Sequence, residues 1–361
     1  MVALSGFRAF LKRKNIEISL RRYGIDALGA MAQGLFCSLL IGTILNTLGS
    51  QTGVAIFSTV GGYATAVSGP AMAVAIGYAL KCPPLVLFSM VPVGWAANAL
   101  GGSAGGPLAV FVIAIVAAEV GKMVSKETPV DVLVTPLVTI FAGVALAALI
   151  APPIGAGANY VGALIKRATV LQPFWMGIIV SASVGIALTL PISSAAICHS
   201  FNLVGLAGGA AVAGCCANMV GFAVMSFREN RWGGLVSQGL GTSMLQMGNI
   251  VKNPRIWLPA ILTSMITGPI ATCVFKLEMN GAAINSGMGT CGLCGPIGVW
   301  TGWVNPSDVA LADGAAVIAP GAMDWLGLAL VCFVLPAVIC WALGLFFRRI
   351  GWIRDGDLKL D

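Results

Sequence analysis

The chain has 361 residues, of which 58% are apolar and only 9% charged, and its mean hydropathy is +0.94. Soluble domains carry about 25% charged residues, so a water-soluble globular enzyme is excluded. The excess of 20 Lys and Arg over 13 Asp and Glu calls for no nucleic-acid partner, because most of these cations flank apolar runs, where cytoplasmic loops carry them.

The start is basic, and no small-residue cleavage site follows a short apolar core, so no secretory signal is expected. Residues 4–22 set Leu4, Phe7, Leu11 and Ile18 against Arg8, Lys12, Arg13, Lys14, Arg21 and Arg22. That pattern predicts a basic amphipathic helix on the cytoplasmic face, with a solvated charged tail as the alternative. Spans are expected over 27–48 and 53–80, joined by an uncharged external loop. Two shorter runs, 84–100 and 107–120, are separated by a Gly-rich loop at 101–106. A span over 130–150 then leads to a Pro- and Gly-rich break at 151–158 and an interfacial helix over 160–169.

Residues 173–190 form the next apolar run, and 203–227 the one after it, ending at Arg228. If the first runs inward and the second also ends inside, residues 192–203 rise only part way, making 191–227 a re-entrant helical hairpin. Residues 228–255, with Arg228, Arg231, Lys252 and Arg255 between Trp232 and Trp257, are expected at the cytoplasmic interface. A span over 256–276 leads to a second broken stretch at 278–296. An acidic external loop with Asp308 and Asp313 follows, then a span over 325–347 and a cytoplasmic tail. Both termini are expected inside, and the membrane is expected to be the bacterial cytoplasmic (inner) membrane. Two short internal matches, Ser68-Gly-Pro70 with Thr267-Gly-Pro269 and 101–107 with 290–296, are compatible with two related halves.

The expected architecture is therefore an all-α polytopic membrane protein with about 8–10 transmembrane helices, two re-entrant hairpins and interfacial amphipathic helices. Its parts are a cytoplasmic N-terminus (1–25), two transmembrane halves (26–170 and 171–347) and a cytoplasmic tail (348–361). Ten cysteines are present, several inside apolar runs, where they read as small packing residues. The Cys291-Gly-Leu-Cys294 spacing stands without a second pair, so packing or close backbone approach is favoured over zinc or a redox couple.

Unwound polar backbone inside a membrane lines a cavity or is buried by protein, so the two broken stretches mark the candidate binding site. Pro191 cannot donate a backbone hydrogen bond and restrains Leu190 away from the helical region. Ser193 and Ser194 suit the start of a half-helix whose free N–H groups favour hydroxyls or anions. His199, the only histidine of the chain, is expected to touch the ligand, as an intramembrane polar residue is costly unless used. Asn202 follows it. Glu278, Asn280, Asn285 and Thr290 supply carboxylate, amide and hydroxyl groups between glycines, as a polyhydroxylated ligand requires. Asn218 is expected to join helices. No Walker A pattern, metal cluster or acid–base pair is present, so no catalytic residue and no cofactor is expected.

The runs Ser68-Gly-Pro-Ala-Met-Ala-Val-Ala-Ile-Gly-Tyr-Ala-Leu80, Leu190-Pro-Ile-Ser-Ser-Ala-Ala-Ile197, Phe227-Arg-Glu-Asn-Arg-Trp-Gly-Gly234 and Gly351-Trp-Ile-Arg-Asp-Gly-Asp-Leu-Lys-Leu360 resemble the PfoR-like family. Those proteins are grouped with the membrane subunit (EIIC) of the bacterial phosphotransferase system. The resemblance implies a homodimeric sugar permease with a scaffold half at 26–170 and a mobile substrate half at 171–347. It also implies separate EIIB and EIIA phosphocarrier proteins that phosphorylate the sugar, so that the chain would be one subunit of a phosphoenolpyruvate-dependent phosphotransferase. Related subunits use a histidine and a hairpin glutamate at the sugar; His199 matches the first, whereas residues 286–290 contain no acid. An ion-coupled secondary transporter and a membrane ligand sensor or regulator without transport are the alternative functions.

Overall fold

The computed structural model describes residues 9–360, and every regular element among them is helical. Six helices are long and apolar enough to cross a membrane, and a pair bent by 51° would make a seventh. Two further apolar helices, Pro84–Leu100 and Pro173–Thr189, have 17 residues each. This is a polytopic all-α membrane protein, and its chain divides into two compact units, Met1–Gly157 and Ala158–Asp361.

In the first unit, α1 (Arg22–Thr52) and the bent pair α2 (Ala55–Ala66) and α3 (Ser68–Ala79) replace two simple spans. They are followed by α4 (Pro84–Leu100) and α5 (Gly102–Val124). The Gly-rich stretch expected as a loop shrinks to a turn at Gly101 and Gly102, because Gly102 takes φ +69° and the remaining glycines enter α5. Of the expected N-terminal helix, residues 4–8 lie outside the described residues. Helix covers 9–13, and it ends before Asn15, which takes φ 55°. One continuous amphipathic helix to residue 22 is thus corrected.

Charge anchors the chain from Asn15 to Tyr23. Lys122, only 1% exposed, pairs with Glu119 at 2.6 Å and donates to the carbonyls of Asn15 and Leu80. Tyr23 donates to Glu119, and Arg22 donates to the Leu80 carbonyl. Glu119 is therefore part of a buried network.

The expected break at 151–158 does not occur. α6 (Asp131–Ala168) runs unbroken for 38 residues through Pro136, Pro152 and Pro153. Each proline removes a helix hydrogen bond, at about 3 kcal/mol in an ordinary helix. Here close backbone packing holds the helix together. A Cβ on Gly155 would lie 2.4 Å from the Gly101 carbonyl oxygen, and one on Gly105 would lie 2.6 Å from the Gly155 Cα. No interfacial helix over 160–169 forms, since those residues are the last turns of α6.

The second unit is built on α7 (Pro173–Thr189), α9 (Gly205–Met225), α12 (Pro254–Val274) and α15 (Ala322–Arg349). Glycines let three of them touch. A Cβ on Gly214 would lie 1.9 Å from the Ser181 carbonyl oxygen, and one on Gly185 would meet Asn218 and Gly214. Residue numbers thus rise together along α7 and α9, so these helices are parallel. α12 runs the other way: Gly268 faces Gly177, and Thr272 donates to the Pro173 carbonyl.

Two consecutive parallel helices require the chain between them to travel back the length of α7. Residues 190–204 do so with an extended start, a seven-residue helix α8 (Ser194–Ser200) and a turn. The expected hairpin over 191–227 is therefore corrected. Its first arm makes the full return, and its second arm, α9, is a complete 21-residue helix, roughly 31 Å at 1.5 Å per residue.

The second broken stretch is a re-entrant hairpin. Gly205 and Met279 exchange backbone hydrogen bonds at 3.0 Å beside the start of α9. The chain then descends through the short turn Ala283–Gly287 and turns where Gly289, at φ +54°, meets Cys215 and Cys216. It returns as α13 (Cys294–Val304), with Gly298 against Asn285 and Gly302 against Gly281. The short α14 (Asp308–Ala312), capped by Ser307, precedes α15.

Residues 228–255, which include most of α10 (Phe227–Val236) and all of α11 (Met247–Lys252), are a surface segment only in part: Arg228, Arg231 and Trp232 are exposed, whereas most of 238–250 is buried. Gln238, Ser243 and Gln246 are fully buried, and Met244 and Ile250 are nearly so. The amides account for this. Gln238 donates to Ser226 and accepts from Gln246, Gln246 donates also to the Leu358 carbonyl, and Asn249 donates to the Lys359 carbonyl. Asn230 binds both Leu358 and Leu360, and Asn253 reaches Trp352 and Asp357. The tail is stitched onto this segment. Of the internal sequence matches, Ser68–Pro70 and Thr267–Pro269 differ in structure, because Ser68 opens a helix whereas Thr267 lies within one.

Candidate functional site

Three interrupted segments of the second unit converge beside α9: residues 190–204, the re-entrant hairpin 278–304 and the loop 237–246. Ser194 donates to the Gly287 carbonyl at 2.8 Å, and Ser286 donates to the Leu203 carbonyl at 2.6 Å. Thr290, at the hairpin tip, donates to the Gly239 carbonyl at 2.5 Å. Beside this seam, Thr189 and Ser243 share a 2.7 Å hydrogen bond. Asn218 donates to Ser264 and the Gly214 carbonyl and accepts from the indole of Trp257 at 3.0 Å. Asn218 thus joins α7, α9 and α12. A buried polar network with every partner present rigidifies its surroundings.

The eight residues singled out from the sequence separate into two groups. Ser193 caps α8 by accepting from the Ala196 N–H, and Ser194 and Thr290 are buried and committed to backbone carbonyls. Asn280 is buried and donates to Glu278 at 2.9 Å. Glu278 is exposed and accepts that bond, as a loop carboxylate. These five hold the framework.

His199, Asn202 and Asn285 keep their side chains free of hydrogen bonds among the described residues. His199 and Asn202 are exposed and Asn285 is half-buried. The segments bearing His199 and Asn285, Ser194–Ser200 and Ala283–Gly287, pack on each other. His199 lies in the last turn of α8 and not in a sealed interior, so its exposure removes the cost of an unsatisfied buried imidazole.

Asn202, in a left-handed conformation at φ 50°, opens onto a cleft of about 330 Å³ that is also lined by Lys166, Thr169, Met176, Leu206 and Asp313. That volume falls within the small-molecule range of about 300–1,000 Å³. Lys166 and Asp313 are both exposed, and no described ion pair joins them. The cleft offers cation, carboxylate, amide and hydroxyl groups together.

Sequence reasoning missed the loop 237–246. Its run Ser237-Gln-Gly-Leu-Gly-Thr-Ser243 carries the small and polar residues of a third break, yet flanking cations and tryptophans suggested a surface segment. No group of three or more His, Cys, Asp or Glu able to hold a metal occurs among the described residues. Cys291 and Cys294 are buried and form no disulfide.

A helical bundle whose buried broken segments meet inside it, one of them a re-entrant hairpin, defines a membrane-spanning solute permease class. A family model described as phosphotransferase system, EIIC, matches residues 25–360, and the chain belongs to that family. It is thus a multi-pass permease subunit of the phosphotransferase system. No curated protein and no solved structure matched the chain.

Proposed function

We propose that this subunit translocates a sugar or sugar-like solute through the second unit, with His199, Asn202 and Asn285 contacting the solute. The single observation that carries this reading is the bond between Thr290 and Gly239. The hairpin tip and a loop from the other end of α9 meet there, beside the packing of Gly289 on Cys215 and Cys216, as a site closed from both ends requires. The unspent imidazole of His199 and the amides of Asn202 and Asn285 both donate and accept, as sugar hydroxyls demand.

In this scheme the first unit is the scaffold and homodimer surface, and the second moves in an elevator-like manner. A separate EIIB protein, charged by EIIA, phosphorylates the sugar at the cytoplasmic side. The membrane is the bacterial cytoplasmic membrane with both termini inside, in keeping with Arg348 and Arg349 at the end of α15 and the basic segment before α1.

Uptake by vesicles holding this protein, tested with and without EIIB and its phosphodonor, decides the matter. Phosphorylated sugar appearing inside, dependent on the phosphodonor, is the expected result. Uptake indifferent to the phosphodonor but abolished by a protonophore would assign an ion-coupled transporter instead. Ligand binding without any flux would assign a sensor.

A further inference from the structure

At the end of the second unit where α9 finishes and α15 finishes lies a groove of about 170 Å³. Its walls are apolar, formed by Val224, Met225, Leu235 and Leu345, and two guanidinium-bearing residues, Arg228 and Arg348, stand in its lining with Trp341. The two arginines differ in their commitments. Arg348 pairs with Glu229 at 2.6 Å and with Asp355 at 3.0 Å, so its charge is spent. Arg228 is exposed and has no hydrogen bond or ion pair among the described residues. Arg231 nearby, at φ 52°, is likewise exposed and unpaired among them.

Aromatic side chains frame this end of the bundle. Trp341 is 53% exposed and Trp232 is 71% exposed, with Trp232 edge-on to Phe227 at 5.3 Å. Trp and Tyr concentrate where hydrocarbon meets headgroups. The groove therefore presents an apolar trough that points into the hydrocarbon layer and a free cation where the headgroups begin.

We infer that this groove is a binding site for an anionic phospholipid, with its acyl chain along Val224, Leu235 and Leu345 and its phosphate on Arg228. Charge complementarity names the occupant. A zwitterionic lipid would bring its own cation beside Arg228 and Arg231, whereas an anionic headgroup brings none. Glu229 and Asp355, the carboxylates at this end nearest the groove, share Arg348, and the one negative charge this leaves is outweighed by the exposed Arg228, Arg231 and Arg349. The bound lipid would fix the junction between α9 and α10, on which the loop carrying Gly239 depends.

The test uses the full protein purified in detergent and exchanged into mixed phosphatidylglycerol and phosphatidylcholine, with retained lipids counted by native mass spectrometry. The wild type is expected to retain phosphatidylglycerol in preference. Arg228→Gln is expected to reduce that preference about fivefold, the scale of one basic residue at an anionic surface. Arg167→Gln, an exposed cation at the far end of α6, is expected to leave it unchanged. Equal loss in both variants, or none in Arg228→Gln, would overturn the site. So would displacement of the retained lipid by millimolar inorganic phosphate, which would reduce the groove to a simple anion site.

Discussion

Thr290 and Gly239 come from opposite ends of the second unit and meet through one hydroxyl-to-carbonyl bond of 2.5 Å. Thr290 is fully buried and is reached by a re-entrant hairpin, whereas Gly239 sits on a loop that enters from where α9 ends. Thr290→Val keeps the shape but leaves the Gly239 carbonyl without its donor. The expected destabilisation is about 1–3 kcal/mol, with Thr290→Ser recovering much of it. Thermal unfolding of the detergent-solubilised protein measures this, and identical midpoints for Val and wild type would show that the bond contributes nothing.

Helix contact in the second unit rests on glycines, and the space at each one differs. Gly214→Ala would push a methyl group to 1.9 Å from the Ser181 carbonyl oxygen, while Gly233→Ala meets nothing within 4 Å. The first is expected to cost about 1–3 kcal/mol or more through forced separation of α7 and α9. Gly233→Ala should leave stability unchanged or slightly raised. Yield and melting midpoint of the two variants in parallel check the contrast.

Removing the tail from Trp352 onward strips acceptors from Gln246, Asn249, Asn230 and Asn253. Buried amides without partners cost about 1–3 kcal/mol each, so truncation is expected to loosen the whole 230–253 segment. Hydrogen exchange, read by mass spectrometry, should rise there and remain unchanged in α5. Unaltered exchange across 230–253 would mean that the segment holds itself together.

For the solute site, Asn285→Ala and His199→Ala are expected to raise the half-saturating sugar concentration roughly 5- to 150-fold, from one lost ligand hydrogen bond of about 1–3 kcal/mol. Because neither side chain has an internal partner among the described residues, melting should stay within about 0.5 kcal/mol of wild type. Ser194→Ala is expected to do the reverse, lowering stability through the loss of its bond to Gly287. Isothermal binding and thermal unfolding on the same samples separate the two patterns.

The N-terminal arm carries an acid-sensitive contact. Glu127 lies in the loop after α5, and a hydrogen bond from Lys14, aided by Arg13, holds its carboxyl below the ordinary 4.5. A depressed carboxyl contributes fully above its unfolded value and loses that contribution as pH falls through the folded one. The arm is therefore expected to stay docked at neutral pH and to loosen only below about pH 4.5, which amide exchange over residues 10–16 can follow. Loosening between pH 6 and 8 would assign the contact to another group.

Helix existence was legible because apolar runs of span length leave few alternatives, and the 278–296 break announced itself through glycines and polar residues. The route of 190–204 was half legible. Loop charge placed both ends of its neighbours correctly relative to each other, since α7 and α9 do run parallel, but it could not tell a part-way rise from a full return. Gly155 explains the failure at α6: helix continuity through Pro152 and Pro153 depends on a packing partner far off in sequence. The same holds for Gln246, whose burial needs the carbonyl of Leu358, 112 residues onward. For the candidate site residues the sequence showed chemical type but not hydrogen-bond partners. Ser194 and Thr290 looked like ligands because their hydroxyls are polar, yet their partners are carbonyls of distant glycines.

The full return made by residues 190–204 has a consequence for how the protein is made. Hydropathy alone cannot thread a seven-residue helix and its flanks across a bilayer that needs about 20 apolar residues. The segment is tied down by the Ser194 hydroxyl, which donates to the Gly287 carbonyl, and by the Leu203 carbonyl, which accepts from Ser286, the first pair separated by 93 residues. At 5–20 residues per second, the ribosome delivers that partner roughly 5–20 s later. During that interval α9 has no crossing behind it to orient it. Residues 190–204 therefore lack these two partners until the 278–304 hairpin has been made.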